Sequence, residues 1–515
     1  MAKLWRATLF LWAFGGAFFA YTAELDVIGV TLLRAIDPSL TGSGVKVALA
    51  EASENVEGTA WQVNPFAIGQ PTNLFTYIST DGSASNYPNA LGIESGHATG
   101  VGRNFFGTSL GASPGVAHVD NFEAGHFYSS RITPGISIQP RIVNQSFIFS
   151  PGSQTTVDTL YDNYAAQNNV LFVSGIGNSG APSAPATAYN GIGVAAFEGL
   201  SSVGPTTDNG RSKPDITAPG GATSFSTPYV AGSAAILRQA GLRGDGGTGT
   251  TNTSVDIRTI KALLLNGALK PSNWTHTATA PLDTEFGAGI VNVFNSYQQL
   301  TGGKHSFVES TGNATNGSHF PTGNSSNVTS LTGWDFNSIT SSVPQDRVNH
   351  YYFNLPASSA KTFTFTATLV WNRQAAQPDI NNLDLFLYDV SNSNLVAMSV
   401  STVDNVEHIY TPNLSAGRYD LQVFKKGGVG LTSFTESYAL AFESFSLSLN
   451  IARSGTNIVI SWLLAPTGFT LQTTSDLNPP IIWTTVPNAP VVTNNQNRVT
   501  VATASSAQYF RLIRP

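Results

Sequence analysis

The chain has no cysteine, only two methionines and few charged residues, which make up 11% of its 515 residues. The absence of cysteine excludes disulfide bonds and thiolate metal sites. A nucleic-acid partner would need a basic patch or stripe, and the net charge of −6 includes no basic block. Disordered chains usually carry more charge and fewer aromatic residues than the 10% found here. The composition therefore predicts a folded, loop-rich protein with no nucleic-acid partner.

Long apolar runs are also missing, except for one short run near the N-terminus. Lys3 and Arg6 precede the apolar residues 7–20, and small residues follow near Ala23. This layout is typical of a signal peptide and is short for a membrane-spanning helix. We therefore predict a signal peptide over residues 1–23 and a secreted or extracellular bacterial protein. Surface association and an uncleaved anchor are the alternatives.

Residues 25–300 alternate short apolar strands with helical stretches. Three segments are nearly continuous apolar runs of the kind found in buried parallel strands, KVALA, RIVNQSF and NVLFVSG. Three others have a helical pattern, TVDTLYDNYAAQ, TPYVAGSAAILRQAG and DIRTIKALLLNGA, and the second of these is predicted to start with Pro228 and to end at Gly241. Strands that alternate with helices predict an α/β domain with a doubly wound, mostly parallel sheet.

The composition changes after residue 300. Residues 301–330 are rich in Gly, Asn, Ser and Thr, which predicts a linker or irregular loop. Residues 331–447 contain aromatic-rich, alternating runs, such as KTFTFTATLVW, that predict a β-sandwich or jelly-roll-like domain. Residues 448–515 continue this style and predict a small C-terminal β module. Attachment to the cell surface, sorting and carbohydrate contact all remain open as roles for these modules.

Oxygen-bearing side chains precede the predicted strand LDLFLYDV. Asp379, Asn381, Asn382 and Asp384 offer the hard ligands that Ca²⁺ prefers. A polar turn before a strand is the alternative interpretation. A structural Ca²⁺ is therefore left open, and no residue is assigned as a metal ligand.

A serine stands in the segment ATSFSTPYVAG, where a helix of small residues is predicted to begin. Ser224 lies four residues before Pro228. The backbone N–H groups and the positive dipole end at a helix start stabilise a developing oxyanion. For STP alone, an ordinary N-cap before a proline would be the better interpretation. The longer string favours a nucleophile.

This segment resembles the nucleophile motif of the subtilisin-like serine proteases, the subtilases. KPDITAPG resembles the segment before that motif, SGHATGVG resembles the family's histidine motif with His97 in the catalytic place, and SGIGNSG resembles the turn that carries the oxyanion-hole asparagine, here Asn178. The resemblance covers roughly residues 40–300, with the motifs in the family's order of acid, histidine, asparagine and serine. It implies a subtilisin-like fold, hydrolysis of protein or peptide substrates, and no cofactor for catalysis.

The roles of these residues follow from their chemistry and from the resemblance. A serine hydroxyl is a weak nucleophile until a base takes its proton, and histidine suits that task near neutral pH. NQSFI resembles the family's substrate-pairing strand, which implies Ser146 and Phe147 as substrate-binding residues. Gly175, in SGIGNSG, is also predicted to bind substrate. Ile148 stands where relatives usually have glycine, which predicts a narrow first specificity pocket.

The acid of the triad is where this chain departs from the family pattern. The strand that usually ends in aspartate ends here in Glu51, whose side chain is one carbon–carbon bond, about 1.5 Å, longer. Glutamate does the same work in some α/β-hydrolases. A working acid predicts a Glu51 Oε to His97 Nδ1 distance of roughly 2.8 Å. Glu54 and Glu94 are the fallback carboxylates.

Two other functions are open at this stage. A glutamate turned to solvent would favour a catalytically impaired scaffold that acts as a binding or adhesive protein. A lipase or esterase would need the nucleophile elbow G-x-S-x-G, which ATSFS does not provide. The sequence therefore favours a serine endopeptidase with a Ser-His-Glu triad.

Overall fold

The structure, a computed structural model, describes residues 21–314, 327–342, 345–357, 362–427, 433–446, 448–464, 467–493, 496–503 and 507–513. Most of the predicted signal peptide, residues 1–20, lies outside these ranges. Among the described residues, no helix is both long and apolar enough to cross a membrane.

The first part of the chain is an α/β domain. Its helices are α1 (Tyr21–Val27), α2 (Val30–Ile36), α3 (Gly96–Phe106), α4 (Ala124–Phe127), α5 (Gln154–Asn168), α6 (Thr223–Arg243), α7 (Ile257–Asn266) and α8 (Val293–Thr301). Its strands are β1 (Lys46–Glu51), β2 (Ala60–Gln62), β3 (Phe75–Ser79), β4 (Gly82–Ala84), β5 (Ile93–Glu94), β6 (His118–Glu123), β7 (Ile142–Gln145), β8 (Leu171–Gly175), β9 (Ile192–Phe197) and β10 (Ile216–Pro219).

Eight of these strands form one sheet in the order β10-β9-β8-β7-β1-β6-β3-β4. All neighbours are parallel except the edge pair β3 and β4. Strands β1, β7 and β8 are buried almost throughout, because helices cover both faces of a parallel sheet. The predicted doubly wound, mostly parallel sheet is confirmed.

Helix α6 begins earlier than the sequence predicted. It starts at Thr223, so Pro228 lies inside the helix and not at its first position. A proline has no N–H to give to the carbonyl four residues before it, which is that of Ser224. The Ser146 hydroxyl donates a hydrogen bond of 3.0 Å to that carbonyl. The contact with Ser146 thus stabilises the first turn of α6, which the sequence pattern predicted to begin later, at Pro228.

The second part of the chain is all β. Its strands are β11 (Glu309–Ala314), β12 (Thr332–Thr340), β13 (Gln345–Leu355), β14 (Phe363–Trp371), β15 (Leu383–Asp389), β16 (Asn394–Ser399), β17 (Val406–Leu414), β18 (Gly417–Lys425) and β19 (Thr435–Phe445). They form two antiparallel sheets, β11-β13-β18-β15-β16 and β12-β19-β14-β17. Alternate residues such as Tyr351, Phe353 and Phe442 fill the core between the sheets.

The predicted linker over residues 301–330 is not a loop throughout its described part. Residues 309–314 form β11, which pairs antiparallel with β13. Ser310 and Thr311 give this edge strand its side-chain contacts, a 2.7 Å hydrogen bond from Ser310 Oγ to Asn349 Oδ1 and a 2.8 Å one between Thr311 Oγ1 and His350 Nε2. The composition predicts a loop from such Ser and Thr residues, but here they satisfy polar groups on a neighbouring strand.

The last strands form two small antiparallel sheets. They are β20 (Asn450–Ser454), β21 (Asn457–Leu463), β22 (Thr470–Thr474), β23 (Thr484–Thr485), β24 (Val491–Thr493), β25 (Gln496–Ala502) and β26 (Tyr509–Ile513), in the orders β20-β21-β25-β24 and β23-β22-β26. Their small core contains Ile460, Trp462 and Val499. The predicted fold class, an α/β domain followed by antiparallel β modules, is therefore confirmed.

The sandwich packs on the α/β domain through its β12-β19-β14-β17 sheet. Trp334 is buried, and its Nε1 donates to the Leu300 carbonyl at 3.1 Å. Thr366 and Thr368 both donate to Asn266 Oδ1, at 2.9 and 3.0 Å. The core of the α/β domain continues into this sheet, so the two parts share one apolar interface.

His408 makes this interface sensitive to acid. Its Nδ1 lies 2.8 Å from Thr368 Oγ1, and its buried Nε2 has no hydrogen-bond partner among the described residues. Burial, followed by the charges of Lys270 and His276, lowers the pKa of His408 well below 6.5. A histidine whose pKa is lowered by folding stabilises the protein above its unfolded pKa and loses that contribution as pH falls.

We expect the melting temperature to drop as pH is lowered from 7.5 to 5.0. For one proton, the free energy of unfolding changes by at most about 1.4 kcal/mol per pH unit. His408→Gln should flatten this dependence, and His126→Gln, in α4 of the α/β domain, should not. Equal pH dependence in all three proteins, measured by differential scanning fluorimetry, would exclude His408 as the sensitive group.

Candidate active site

The candidate site lies where the strand order of the large sheet reverses. From β1 the chain adds strands on one side, through β6 and β3, and then on the other, through β7 to β10. In such sheets a crevice forms at the carboxyl ends of the strands at the reversal point. Glu51 ends β1, Ser146 follows β7 and Gly175 ends β8, so three predicted site residues lie at this edge.

Glu51 and His97 are in direct contact. Glu51 Oε2 lies 2.8 Å from His97 Nδ1, and the Glu51 side chain is 1% exposed. His97 is the second residue of α3, whose N-cap Ser95 accepts a hydrogen bond from the Ala98 N–H at 2.9 Å. This cap starts the helix where His97 can reach the end of β1. The contact has the length that a working acid requires.

The two side chains shift each other's protonation. Burial alone would lower the pKa of His97, but the hydrogen bond and charge of Glu51, with the charge of Glu54, raise it above 6.5. Burial raises the pKa of Glu51, and the hydrogen bond from His97 opposes this. Glu51 Oε1 is buried without a hydrogen-bond partner among the described residues. The pair therefore favours a protonated His97 more strongly than an isolated histidine would.

The two fallback carboxylates have other surroundings. Glu54 is exposed, and hydrogen bonds from Ser95 and from the backbone of His97 and Gly96 outweigh the effect of burial and lower its pKa. It thus serves the start of α3 and acts on the His97 ring only through its charge. Glu94 accepts from Asn64 Nδ2 at 2.8 Å and from Thr99 Oγ1 at 3.3 Å. Of these three carboxylates, Glu51 alone is hydrogen-bonded to the His97 ring.

Ser224 is the second residue of α6, so its N–H is one of the helix's first donors without an intrahelical partner. The Ser224 hydroxyl donates a long hydrogen bond of 3.5 Å to the Ser146 carbonyl oxygen. Within the described residues, this hydroxyl makes no other hydrogen bond. Catalytic hydrogen bonds are often long in free enzymes and tighten with substrate.

Helices α3 and α6 pack closely beside the site. A Cβ at Gly100 would lie 2.9 Å from the Phe225 ring, so only glycine allows this approach. Asn104 Nδ2 donates to the Phe225 carbonyl at 3.0 Å, and the Phe225 ring lies 5.7 Å from the His97 ring, between centroids. These contacts fix the helix of Ser224 relative to that of His97.

Asn178 is held in a defined orientation by the residue before Ser224. Its Oδ1 accepts hydrogen bonds from the Thr223 N–H at 3.0 Å and from Thr223 Oγ1 at 2.8 Å. Asn178 is exposed, and its Nδ2 has no protein partner in the described part of the chain. The amide therefore offers a free N–H₂ beside the start of α6.

The predicted substrate-binding residues lie around the same edge but have structural contacts of their own. A Cβ at Gly175 would lie 3.1 Å from both Thr223 Oγ1 and Thr227 Oγ1, so this glycine lets α6 approach β8. Phe147 is half-buried and packs edge-on against Phe149. Ile148 is 51% exposed and lies close to Gly177.

Sequence reasoning missed several contacts that hold the site. One is the hydrogen bond from the Ser146 hydroxyl to the Ser224 carbonyl, and another is the hydrogen bond from Asn104 to the Phe225 carbonyl. Neither contact is part of a sequence motif. Pro228 is the one signal that could have indicated the first, because it leaves the Ser224 carbonyl without its helical donor.

A buried charge cluster supports the strand that leads to Ser224. Asp215 directly precedes β10 and lies 2.5 Å from Lys213 Nζ and 2.9 Å from Lys261 Nζ. It also accepts from the Gly193 N–H at 2.6 Å. Burial alone would raise the pKa of Asp215, but the two lysines lower it. The Lys-Pro-Asp segment thus anchors β10 to β9.

Replacing Asp215 by asparagine should destabilise the protein strongly. The substitution leaves two buried ammonium groups without their carboxylate, and breaking a buried ion pair in this way costs about 3–5 kcal/mol. Urea unfolding should show this loss. Asp208→Asn, which removes a partner of Arg211 nearer the surface, should change stability by less than about 1 kcal/mol. If the two substitutions lowered the free energy of unfolding equally, the buried cluster would not be important for stability.

Three of the four residues considered for Ca²⁺, Asn381, Asn382 and Asp384, have side-chain contacts within the protein. Asn381 Oδ1 accepts from the Ser433 N–H at 3.2 Å, and its Nδ2 donates to Glu436 at 2.6 Å. Asn382 Nδ2 donates to Asp384 at 3.4 Å. No group of three or more His, Cys, Asp or Glu side chains in the described ranges could hold a metal ion. Asn382 Oδ1 is buried without a hydrogen-bond partner among the described residues, and a structural Ca²⁺ stays a prediction.

Comparisons with known proteins address the family of the α/β domain. Residues 95–289 match the model of the subtilase family, a range that contains His97, Asn178 and Ser224 but not Glu51. No curated protein matches the chain.

Similar solved structures are distant. The self-cleaved protease domain of PatA is 23% identical and covers 52% of this chain and 100% of its own length, with a TM-score of 0.36. A lanthipeptide protease is 15% identical over 55% of this chain and 96% of its own, with a TM-score of 0.39. The epidermin leader peptide processing serine protease from Staphylococcus aureus is 14% identical over 55% and 80%, with a TM-score of 0.38. Because these TM-scores are low, the similar structures say nothing about the activity of this chain.

The family match covers strands β6 to β10 of the large sheet, the starts of α3 and α6, and His97, Asn178 and Ser224, but not β1 with Glu51. Residues 95–289 thus belong to the subtilase family of serine peptidases, and antiparallel β modules follow them in the chain.

Proposed function

We propose that this subtilase is a secreted serine endopeptidase that works through a Ser224-His97-Glu51 triad. The observation that carries the proposal is the 2.8 Å contact between the buried Glu51 carboxylate and His97 Nδ1. A carboxylate in this position holds the imidazole in the tautomer with Nδ1 protonated and leaves Nε2 free to accept a proton. Export is supported by the N-terminal sequence, with its basic residues, apolar run and small residues.

The reaction begins when Ser224 Oγ turns toward His97. Oγ bonds to the carbonyl carbon of the substrate while His97 Nε2 takes its proton. His97 then returns this proton to the amide nitrogen as the carbon–nitrogen bond breaks, and the amine product leaves. Water attacks the acyl-enzyme by the same route and releases the acid. Glu51 stays ionised and stabilises the imidazolium in both steps.

The developing oxyanion would be bound by two N–H groups. One is the backbone N–H of Ser224, which the start of α6 leaves without a helical partner. The other is the Asn178 amide, whose orientation Thr223 fixes through Asn178 Oδ1. Both groups are set before substrate arrives, which makes them effective in the transition state.

Removing the Asn178 amide should lower kcat with little change in KM. One oxyanion donor contributes about 2.7–4 kcal/mol, or roughly 10²–10³-fold in kcat. Asn178→Ala also removes the acceptor for Thr223, so Thr223→Val is the matched control, since it removes only the hydroxyl contact. A kcat loss in Thr223→Val as large as in Asn178→Ala would contradict the oxyanion role.

The alternative function, a binding or adhesive protein on an inactive scaffold, was motivated by the glutamate in the acid position. Glu51 is buried against His97, which favours the enzyme. The family implies peptide substrates. Cell-surface or carbohydrate contact through the C-terminal modules stays a proposal.

Hydrolysis of unfolded casein by the purified protein tests the proposed function. We expect fragments that increase with time and that disappear after treatment with a fluorophosphonate, which reacts with activated serines. Wild-type protein that leaves casein intact would favour the inactive scaffold.

A further inference from the structure

A cavity of about 390 Å³ opens beside the proposed catalytic residues, between α3 and α6. Gly96, next to His97, and Phe225, next to Ser224, form part of its wall. Glu24 from α1 and Arg103 from α3 contribute the charged groups. The cavity is therefore close enough to the reaction centre to hold part of a bound substrate.

The position of the cavity indicates which part of a substrate it would hold. Residues 146–148, which the family resemblance implies as the substrate-pairing strand with the first specificity pocket, on the acyl side of the scissile bond, are not among its lining residues, and neither is Asn178. Ser146 approaches Ser224 from β7, whereas the cavity lies toward α3. If the proposed function is correct, the cavity faces the leaving-group side.

Glu24 is firmly placed in this wall. Leu25 and Ile28, on the same segment, are buried in the core of the α/β domain. The Ile28 carbonyl accepts from the Val293 N–H at 2.8 Å, which ties the end of α1 to the start of α8. These contacts, all made by residues after the predicted signal peptide, hold Glu24 at the cavity.

The Glu24 carboxylate has one oxygen without a hydrogen-bond partner among the described residues. Its Oε2 is buried and makes no hydrogen bond in the described part of the chain. Buried polar atoms are nearly always hydrogen-bonded in native proteins, so an unpaired carboxylate oxygen at a cavity wall points to a ligand that supplies a donor. Arg103 shares the cavity, yet no ion pair of 4 Å or less joins it to Glu24.

We propose that Glu24 selects a lysine or arginine side chain on the leaving-group side of the scissile bond. A charge-assisted hydrogen bond from that side chain would satisfy Glu24 Oε2. The like charge of Arg103 in the same cavity opposes this selection and limits its strength. Glu24 is thus a specificity-determining residue and takes no part in bond breaking.

Quenched fluorogenic peptides with one constant acyl side test this inference. Lysine, glutamine or glutamate is placed at each of the first three positions after the scissile bond. For wild-type protein, kcat/KM should be about tenfold higher for lysine than for glutamine at one of these positions, which corresponds to about 1.4 kcal/mol. The preference should weaken in high salt, because screening reduces interactions between partly exposed charges.

Two variants that each remove one charge should act in opposite directions. Glu24→Gln should abolish the preference for lysine, and Arg103→Gln should strengthen it. Asp26→Asn, on the same helix but outside this cavity, should leave it unchanged. The absence of a preference in wild-type protein, or shifts in the same direction in both cavity variants, would overturn the inference. Failure to hydrolyse any peptide would instead overturn the proposed function, and this inference with it.

Discussion

Ser224→Ala should reduce hydrolysis of peptide substrates by about 10⁶-fold, as loss of the nucleophile does in a related serine protease. The substitution removes only the oxygen that forms the acyl-enzyme. The backbone N–H of Ser224 and the hydrogen bond from Ser146 to the Ser224 carbonyl remain. Substrate binding and stability should therefore change little, and the loss should appear in kcat.

Steady-state kinetics and thermal melting of the same preparation separate this effect from misfolding. Ser226→Ala is the matched control, because Ser226 lies in the same turn of α6 as Ser224. Its side chain is buried, and its hydroxyl donates a hydrogen bond to the Ala222 carbonyl. It should retain activity. Hydrolysis by Ser224→Ala at a rate near that of wild-type protein would mean that another group is the nucleophile.

Glu51→Gln should lower kcat by about 10⁴-fold, the effect of the corresponding acid-to-amide change in a related triad. The amide has nearly the same size but cannot balance the imidazolium, and it holds His97 in the wrong tautomer. Because Glu51 raises the pKa of His97, the variant should also shift the acidic limb of the kcat/KM profile to lower pH.

Glu51→Asp separates charge from reach. The shorter acid withdraws its carboxylate by about 1.5 Å, so the 2.8 Å hydrogen bond is lost unless β1 or α3 moves. We expect activity between that of Glu51→Gln and wild-type protein. Glu94→Gln is the control and should keep full activity, because the Glu94 carboxylate is hydrogen-bonded to Asn64 and Thr99. If neither substitution at Glu51 changes the rate, Glu51 is not the acid.

The sequence alone was sufficient to predict those parts of the site that depend on the pattern of neighbouring residues. Buried strands such as β1, with continuous apolar residues, could be recognised directly. Glu51 could be placed at the end of that strand, and the strand order then brings it to His97. The motif around Ser224 likewise indicated a helix start, although not its first residue.

The parts that could not be predicted depend on contacts distant in sequence. The hydrogen bond from Ser146 to the Ser224 carbonyl joins residues 78 positions apart and lets α6 begin before Pro228. The strand within residues 301–330 forms because β13 provides an edge for it. Glu24 lies in the segment directly after the predicted signal peptide, and only the tertiary fold brings it to the cavity beside α3.

The most direct test of the proposed triad is the pH dependence of the rate at which a fluorophosphonate reacts with the wild-type protein. The reaction requires neutral His97, and Glu51 raises the pKa of that group, so the rate should rise with pH through a midpoint above 6.5. Peptide mapping by mass spectrometry should place the adduct on Ser224. Absence of the adduct, or a rate that does not depend on pH between 5 and 8, would contradict a working Ser224-His97-Glu51 triad.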